Sequence, residues 1–301
     1  MHTNSTLPEL SIFKIWYLAI RPKTLPAAAG PVIVGLGLAL GNGSFRLGPG
    51  LAALLAALLL QIGSNLANDV YDFKKGTDTQ ERLGPIRVTQ AGLLSPKQVI
   101  MGMIFVFAFS ALAGVYLIVV GGWPILVIGI LAIVCAIAYT AGPYPLGYKG
   151  IADVFVFVFF GPVAVCGTYY LQAGNIPTAA WWSSIPPGLL VTAILVINNL
   201  RDIETDRRAG KKTLAVRFGV KFTQAQYLML VSGAYLIPLL MWFMGISPLS
   251  VLLSWFSLPL LVPRVKDILT KKGVRLNTTL AGTAFLGLIF CILFSIGYLM
   301  G

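Results

Sequence analysis

Two short stretches hold most of the residues able to do chemistry. One reads Asn68-Asp69-Val70-Tyr71-Asp72-Phe73-Lys74-Lys75-Gly76-Thr77-Asp78, the other Asn198-Asn199-Leu200-Arg201-Asp202-Ile203-Glu204-Thr205-Asp206. Together they carry six of the ten acids in the 301-residue chain. Each begins with Asn, continues with a second amide or acid, and has Asp at its fifth position. Residues four apart share a helix face, so Asn68 aligns with Asp72, while Asn198, Asp202 and Asp206 form a second row. Asp69 falls one residue off the first row. Carboxylates held on one face repel one another unless a cation lies between them. Carboxylate and amide oxygens suit a hard ion, and Mg²⁺ binds through one or two carboxylates together with phosphate oxygens. Two facing clusters of this kind can hold two or three such ions around one diphosphate. Lys74, Lys75, Arg82, Arg87, Arg201, Arg207, Lys211 and Lys212 lie close by in sequence and add positive charge for phosphate.

The elements that position these stretches are apolar. The chain is 57% hydrophobic and 11% charged, against about 25% charged for a soluble domain. Segments 24–45, 47–68, 98–148, 154–200, 222–263 and 276–301 carry no charge. Three of them are long enough for two crossings and are broken at Gly121-Gly122-Trp123-Pro124, near Gly174-Asn175-Ile176-Pro177 and near Gly245-Ile246-Ser247-Pro248. A crossing needs about 20 apolar residues, so the pattern predicts an all-α, polytopic membrane protein with nine transmembrane helices. It reads as a single domain over 1–301, with no independent soluble part. With the N-terminus cytoplasmic, 21 of the 22 basic residues fall inside and only Arg46 outside, as the positive-inside rule requires. The C-terminus is then external. The net charge of +12 reads as topology and contact with anionic membrane lipid rather than nucleic-acid binding. The first apolar stretch is long enough to remain as a helix, and no secretory signal precedes it.

Both acidic stretches close a span that runs from outside to inside, the second and the sixth. Their offset of 130 residues suggests a parallel internal repeat that brings matching ends together. Solvated charge runs would not repeat an Asn-x-x-x-Asp register at matching helix ends. An ion-coupled transporter also uses repeats and membrane acids, but would place its acids near the bilayer midplane rather than at one interface. Other chemistries are poorly supplied. Cys135, Cys166 and Cys291 fall in predicted spans without metal-ligand spacing and read as buried apolar residues. His2 is the sole histidine, which disfavours His-based catalysis, haem ligation and His-based zinc sites.

The pair Asn68-x-x-x-Asp72 and Asp202-x-x-x-Asp206 resembles the UbiA superfamily of intramembrane prenyltransferases. Four stretches are similar to its branch acting on 1,4-dihydroxy-2-naphthoate in menaquinone biosynthesis: 21–27, 64–87, 139–150 and 198–217. Relatives in the superfamily act on 4-hydroxybenzoate and other acceptors, which stand as alternatives. The resemblance implies a nine-helix bundle in the cell (inner) membrane, enclosing a central cavity whose polar mouth faces the cytoplasm. It also implies polyprenyl diphosphate and 1,4-dihydroxy-2-naphthoate as substrates. Mg²⁺ would be held by Asp69, Asp72, Asp78, Asp202 and Asp206, with Asn68 and Asn198 completing the shell or binding phosphate. Lys74, Arg87, Arg201 and Lys211 would share the charge of the leaving diphosphate. An apolar cavity would protect the allylic cation, and aromatic faces would stabilise it.

The acceptor site is drawn more faintly. Arg21, Lys23 or Lys149 could pair with the acceptor carboxylate, or equally anchor the chain among lipid headgroups. Tyr139 and Tyr148 could orient the ring, although interfacial tyrosines, Tyr144 included, ordinarily belong to the aromatic belt, as do Trp123, Trp181 and Trp182. Asp153 opens the fifth span, where an acid favours the helix dipole. The connection of roughly 25 residues after the first acidic stretch is long for a turn and is expected to form a partly helical lid, with 202–221 as its counterpart.

Overall fold

A computed structural model describes residues 10–77 and 82–301, which form helices and turns with no strand among them. Within lipid, a backbone must satisfy its own hydrogen bonds, so each long apolar run becomes a helix. The order is α1 (Ile12–Ile20), α2 (Leu25–Gly41), α3 (Leu47–Lys74), α4 (Pro96–Gly121), α5 (Trp123–Ala138), α6 (Ala152–Val158), α7 (Ala164–Ala173), α8 (Thr178–Arg201), α9 (Ile203–Arg208), α10 (Leu214–Phe243), α11 (Leu258–Thr270) and α12 (Leu276–Leu299).

Among the described residues, eight helical segments are long and apolar enough to cross a membrane. The remaining expected crossing is α5, which has only 16 residues. It starts at Trp123-Pro124 after Gly122 at φ 72° and ends at Ala138, just before a turn holding Gly142-Pro143. At 1.5 Å per residue that is about 24 Å of helix, less than a hydrocarbon core of about 30 Å. The first crossing begins earlier than the charge pattern implies. The amphipathic α1 leads through the 3₁₀ turn Pro22–Thr24 into α2. The α6 and α7 helices are one crossing with a π-turn, Phe159–Val163, between them. Across Gly219, at φ 81°, α10 kinks near its start, so its membrane part begins close to the expected position.

One apolar cluster joins α2, α7, α8, α10 and α12 through Leu38, Leu190, Ile197, Tyr227 and Phe290. A second joins α1, α3 and α4 through Ala19, Leu66, Val70 and Met103. Between α2, α3, α4, α5 and the α6–α7 crossing lies an apolar cavity of about 460 Å³. Val115 of α4 and Ile130 of α5 line it and are each more than half exposed, so the cavity opens sideways between these two helices. Along α3 the lining residues Leu60 and Ser64 are followed, at steps of four, by Asn68 and Asp72. One helical stripe thus leads from the apolar cavity to the acidic end of the bundle.

Candidate active site

The first acidic stretch closes α3. Asp72 is buried, and its two oxygens accept from different elements: Oδ2 from Arg87 Nη2 at 2.8 Å and Oδ1 from the Tyr148 hydroxyl at 2.7 Å. Asn68, one turn earlier, accepts from Thr140 Oγ1 at 3.0 Å. Asp69 sits 100° around the helix and faces elsewhere. It is fully buried, and its oxygens accept the backbone N–H groups of Val88 and Thr89, both at 3.0 Å. Arg21 Nη2 lies 3.7 Å from the same carboxylate. Asp69 therefore fixes the connection that carries Arg87, and its lone pairs are directed there rather than toward Asp72. Over its described residues that connection is not the partly helical lid expected from its length. Residues 82–95 contain turns but no helix, with Arg87, Val88, Thr89 and Leu94 buried.

The second stretch is not one continuous helix. The α8 helix stops at Arg201, and Asp202 sits at φ −96°, ψ 10° before α9 begins, in a sparsely populated backbone region where active-site residues occur. The row of three nonetheless survives, because Asp202 N–H donates to Asn198 O at 3.1 Å and Asp206 N–H to Asp202 O at 2.8 Å. Arg201 organises this side. Its guanidinium grips Asp202 at 2.8 and 2.5 Å, Asn198 Oδ1 at 2.7 Å and Asn277 Oδ1 at 2.7 Å. Asn277, at the start of α12, donates in turn to Leu83 O at 2.8 Å. A Cβ at Gly84 would lie 2.9 Å from the Arg201 guanidinium and would push that group from its partners.

The turn between α5 and α6 braces the two sides. Tyr148, already on Asp72, lies beneath the ammonium groups of Lys75 and Lys211, 5.1 and 4.8 Å from its ring centroid. Its carbonyl accepts from Lys212 N–H at 2.7 Å. Lys75 Nζ donates to Thr140 O and Gly142 O at 2.7 and 2.9 Å, and Lys211 pairs with Asp206 at 3.0 Å. Both acidic stretches therefore converge at one end of the bundle.

The donor set suits a hard cation. Asp72, Asp202 and Asp206 are buried in charged surroundings, and no three of the described acids, histidines or cysteines close a cage by themselves. An open set of single carboxylates is what an ion shared with phosphate oxygens requires. Burial holds the Asp206 carboxyl above the usual carboxylate range; Lys211 opposes this, while Asp202 and Asp72 add to it. A divalent ion among these acids would relieve both the desolvation and the repulsion.

Other expected residues are placed less centrally. Lys74 is exposed and lies over the Tyr71 ring, so Lys75 takes the position expected of it. Lys23 is exposed, and Lys149 is exposed over the Tyr144 ring at 3.9 Å. Arg21 instead turns inward toward Asp69, from a left-handed backbone at φ 56°. Tyr139 lines the cavity. Asp78 lies outside the described residues. The sequence reading passed over Thr140 and Asn277. Asn277 carried a usable signal, as an amide within the first residues of an apolar crossing; Thr140 carried none.

A profile of the UbiA prenyltransferase family matches residues 28–289. The 1,4-dihydroxy-2-naphthoate octaprenyltransferase of Haemophilus influenzae is 39% identical, over 96% of this chain and 96% of that protein. Its counterpart in Escherichia coli is 36% identical, over 95% and 96%. Among solved structures, a UbiA homologue from Aeropyrum pernix aligns with a TM-score of 0.69 at 15% identity, over 93% of this chain and 98% of that one. A UbiA homologue from Archaeoglobus fulgidus, bound to DMAPP and Mg²⁺, aligns with a TM-score of 0.61 at 16% identity, over 95% and 99%.

Proposed function

The chain belongs to the UbiA prenyltransferase family, and from that premise we propose that it transfers a prenyl group from polyprenyl diphosphate to 1,4-dihydroxy-2-naphthoate, with loss of diphosphate and CO₂, to give demethylmenaquinol. The observation that carries this is the single α3 stripe joining an apolar cavity to a cluster of buried acids and bases. A polyprenyl diphosphate has one lipid-soluble end and one highly charged end, and the stripe offers a place for each. The full-length likeness to naphthoate octaprenyltransferases supports the choice of acceptor.

Asp72, Asp202 and Asp206 are the residues that would hold Mg²⁺, with Asp78 as a further candidate and Asn68 and Asn198 beside them. Bound Mg²⁺ supplies Lewis-acid stabilisation of the departing diphosphate. Arg87, Arg201, Lys75 and Lys211 surround the acids with positive charge, which a diphosphate would share. Asp69 acts by holding Arg87 in place. The cavity keeps water from the allylic cation, and Tyr139 presents an aromatic ring at its charged end. Arg21 is the candidate partner of the acceptor carboxylate. The acidic end faces the cytoplasm and the chain resides in the cell (inner) membrane, an orientation supported by its basic residues; the two acidic stretches then close equivalent helices of one domain.

Purified protein in detergent or liposomes is incubated with octaprenyl diphosphate, 1,4-dihydroxy-2-naphthoate and Mg²⁺. The expected outcome is a decarboxylated prenylated product, identified by mass, and loss of turnover on chelation. Turnover with 4-hydroxybenzoate alone would overturn the acceptor. No turnover with any aromatic acceptor, together with ion uptake in liposomes, would overturn the enzyme reading in favour of a transporter.

A further inference from the structure

Asp153 has no part in the metal and diphosphate site, yet it is buried at 8% exposure. It opens α6, where an acid would favour the helix dipole while remaining in water. This one has given up its water. Gln226 Nε2 of α10 donates to its Oδ1 at 3.0 Å. Its Oδ2 is buried without a hydrogen-bond partner. A buried carboxylate oxygen without a donor is costly in an apolar protein, and its persistence calls for a ligand that brings one.

The surroundings indicate which ligand. Phe155 and Val156, two and three residues after Asp153 on α6, line the cavity, and so does Tyr139. Among charged groups, Asp153 perturbs the Tyr139 hydroxyl most strongly, ahead of Asp72 and Asp206. Asp153 thus lies toward the Tyr139 end of the cavity.

We propose that Asp153 Oδ2 accepts the hydrogen bond of a ring hydroxyl on the aromatic acceptor and holds that hydroxyl's proton during prenyl transfer, with Gln226 fixing the carboxylate. This rests on the proposed reaction. As the ring carbon bonds to the prenyl carbon, the prenyl C–O bond breaks and its electron pair leaves with the diphosphate. The positive charge arriving on the conjugated hydroxyl is relieved when its proton passes to Oδ2, giving a keto intermediate. Loss of CO₂ from the alkylated carbon returns an electron pair to the ring. The ring oxygen then recovers its proton from Asp153, and no oxidant or reductant is needed.

The test compares 1,4-dihydroxy-2-naphthoate with its two mono-methyl ethers, in the wild type and in Asp153→Asn. The amide keeps the shape and the bond to Gln226 but cannot take the proton. Asp153→Asn is expected to lower kcat for the diol by about 100-fold or more, as loss of a general base does. The donor KM and the Mg²⁺ concentration for half-maximal rate should stay within threefold. One ether should be turned over poorly by the wild type, with no further loss in the variant. An unchanged diol rate in Asp153→Asn overturns the inference, as does an equal loss on donor KM, which marks a structural role. If the variant does not fold, the wild type decides alone: both ethers reacting as fast as the diol excludes a hydroxyl contact. Failure of the wild type with every acceptor would instead refute the proposed reaction itself.

Discussion

Replacing Asp69 by Ala separates two roles that a carboxylate in an acidic stretch can have. In the structure Asp69 accepts two backbone N–H groups, from Val88 and Thr89, at 3.0 Å each. Each buried donor left without a partner costs about 1–3 kcal/mol, so the pair costs about 2–6 kcal/mol before water recovers a share. Arg21, 3.7 Å away, also loses its counter-charge. The damage is confined to segment 82–95, which should detach locally while the helices stay packed. Even 2 kcal/mol shifts the closed-to-open ratio of this segment by about 30-fold. Arg87 then leaves Asp72. The assay pairs limited trypsin digestion with initial rates over a Mg²⁺ series. Cleavage after Arg87 should accelerate at least tenfold and turnover should fall by a similar factor or more, while the Mg²⁺ concentration for half-maximal residual rate stays within threefold. Unchanged cleavage with a tenfold rise in that concentration would refute the reasoning and make Asp69 a direct metal ligand.

Asn277→Leu removes both the acceptor for Arg201 and the donor to Leu83 O; a loss of about 1–3 kcal/mol should appear as a lower melting temperature and faster cleavage after Arg82. Tyr148→Phe loses the 2.7 Å bond to Asp72 but keeps the ring beneath Lys75 and Lys211. It should lower kcat/KM by about tenfold, as for a hydrogen bond to a charged group, and Tyr148→Ala should cost more because two cation–π contacts go with it. Ala57→Trp fills part of the 460 Å³ cavity, so the ratio of kcat/KM for octaprenyl over geranyl diphosphate should fall by tenfold or more; an unchanged ratio would place the tail elsewhere.

The crossings were legible because charges are excluded from them: nearly every break in the apolar runs marks a helix end in the structure. The rows Asn68–Asp72 and Asn198–Asp202–Asp206 followed from helical spacing alone. Three features did not. Asp69 and Asp72 are only three residues apart, yet the 100° step per residue sends one to a neighbouring backbone and the other to the site. Lys74 and Lys75 are equivalent in composition, and only the way α3 ends decides that Lys75 reaches the Thr140 carbonyl. The Arg201–Asn277 contact spans 76 residues, and no local pattern announces a pairing of that range. The lid was inferred from the length of a connection whose backbone is in fact tied down by Asp69, and that tie has no sequence signature beyond the acid itself.

The sideways opening between α4 and α5 changes what concentration means for this protein. A long prenyl chain that enters through a gap facing lipid is supplied by two-dimensional diffusion, and its effective concentration is a mole fraction of the bilayer rather than a molarity. Adding inert phospholipid at constant total donor would slow the reaction as dilution does, while adding buffer would not. The aromatic acid and the released diphosphate obey ordinary volume. Half of the rate law therefore belongs to the membrane's area and half to the water beside it.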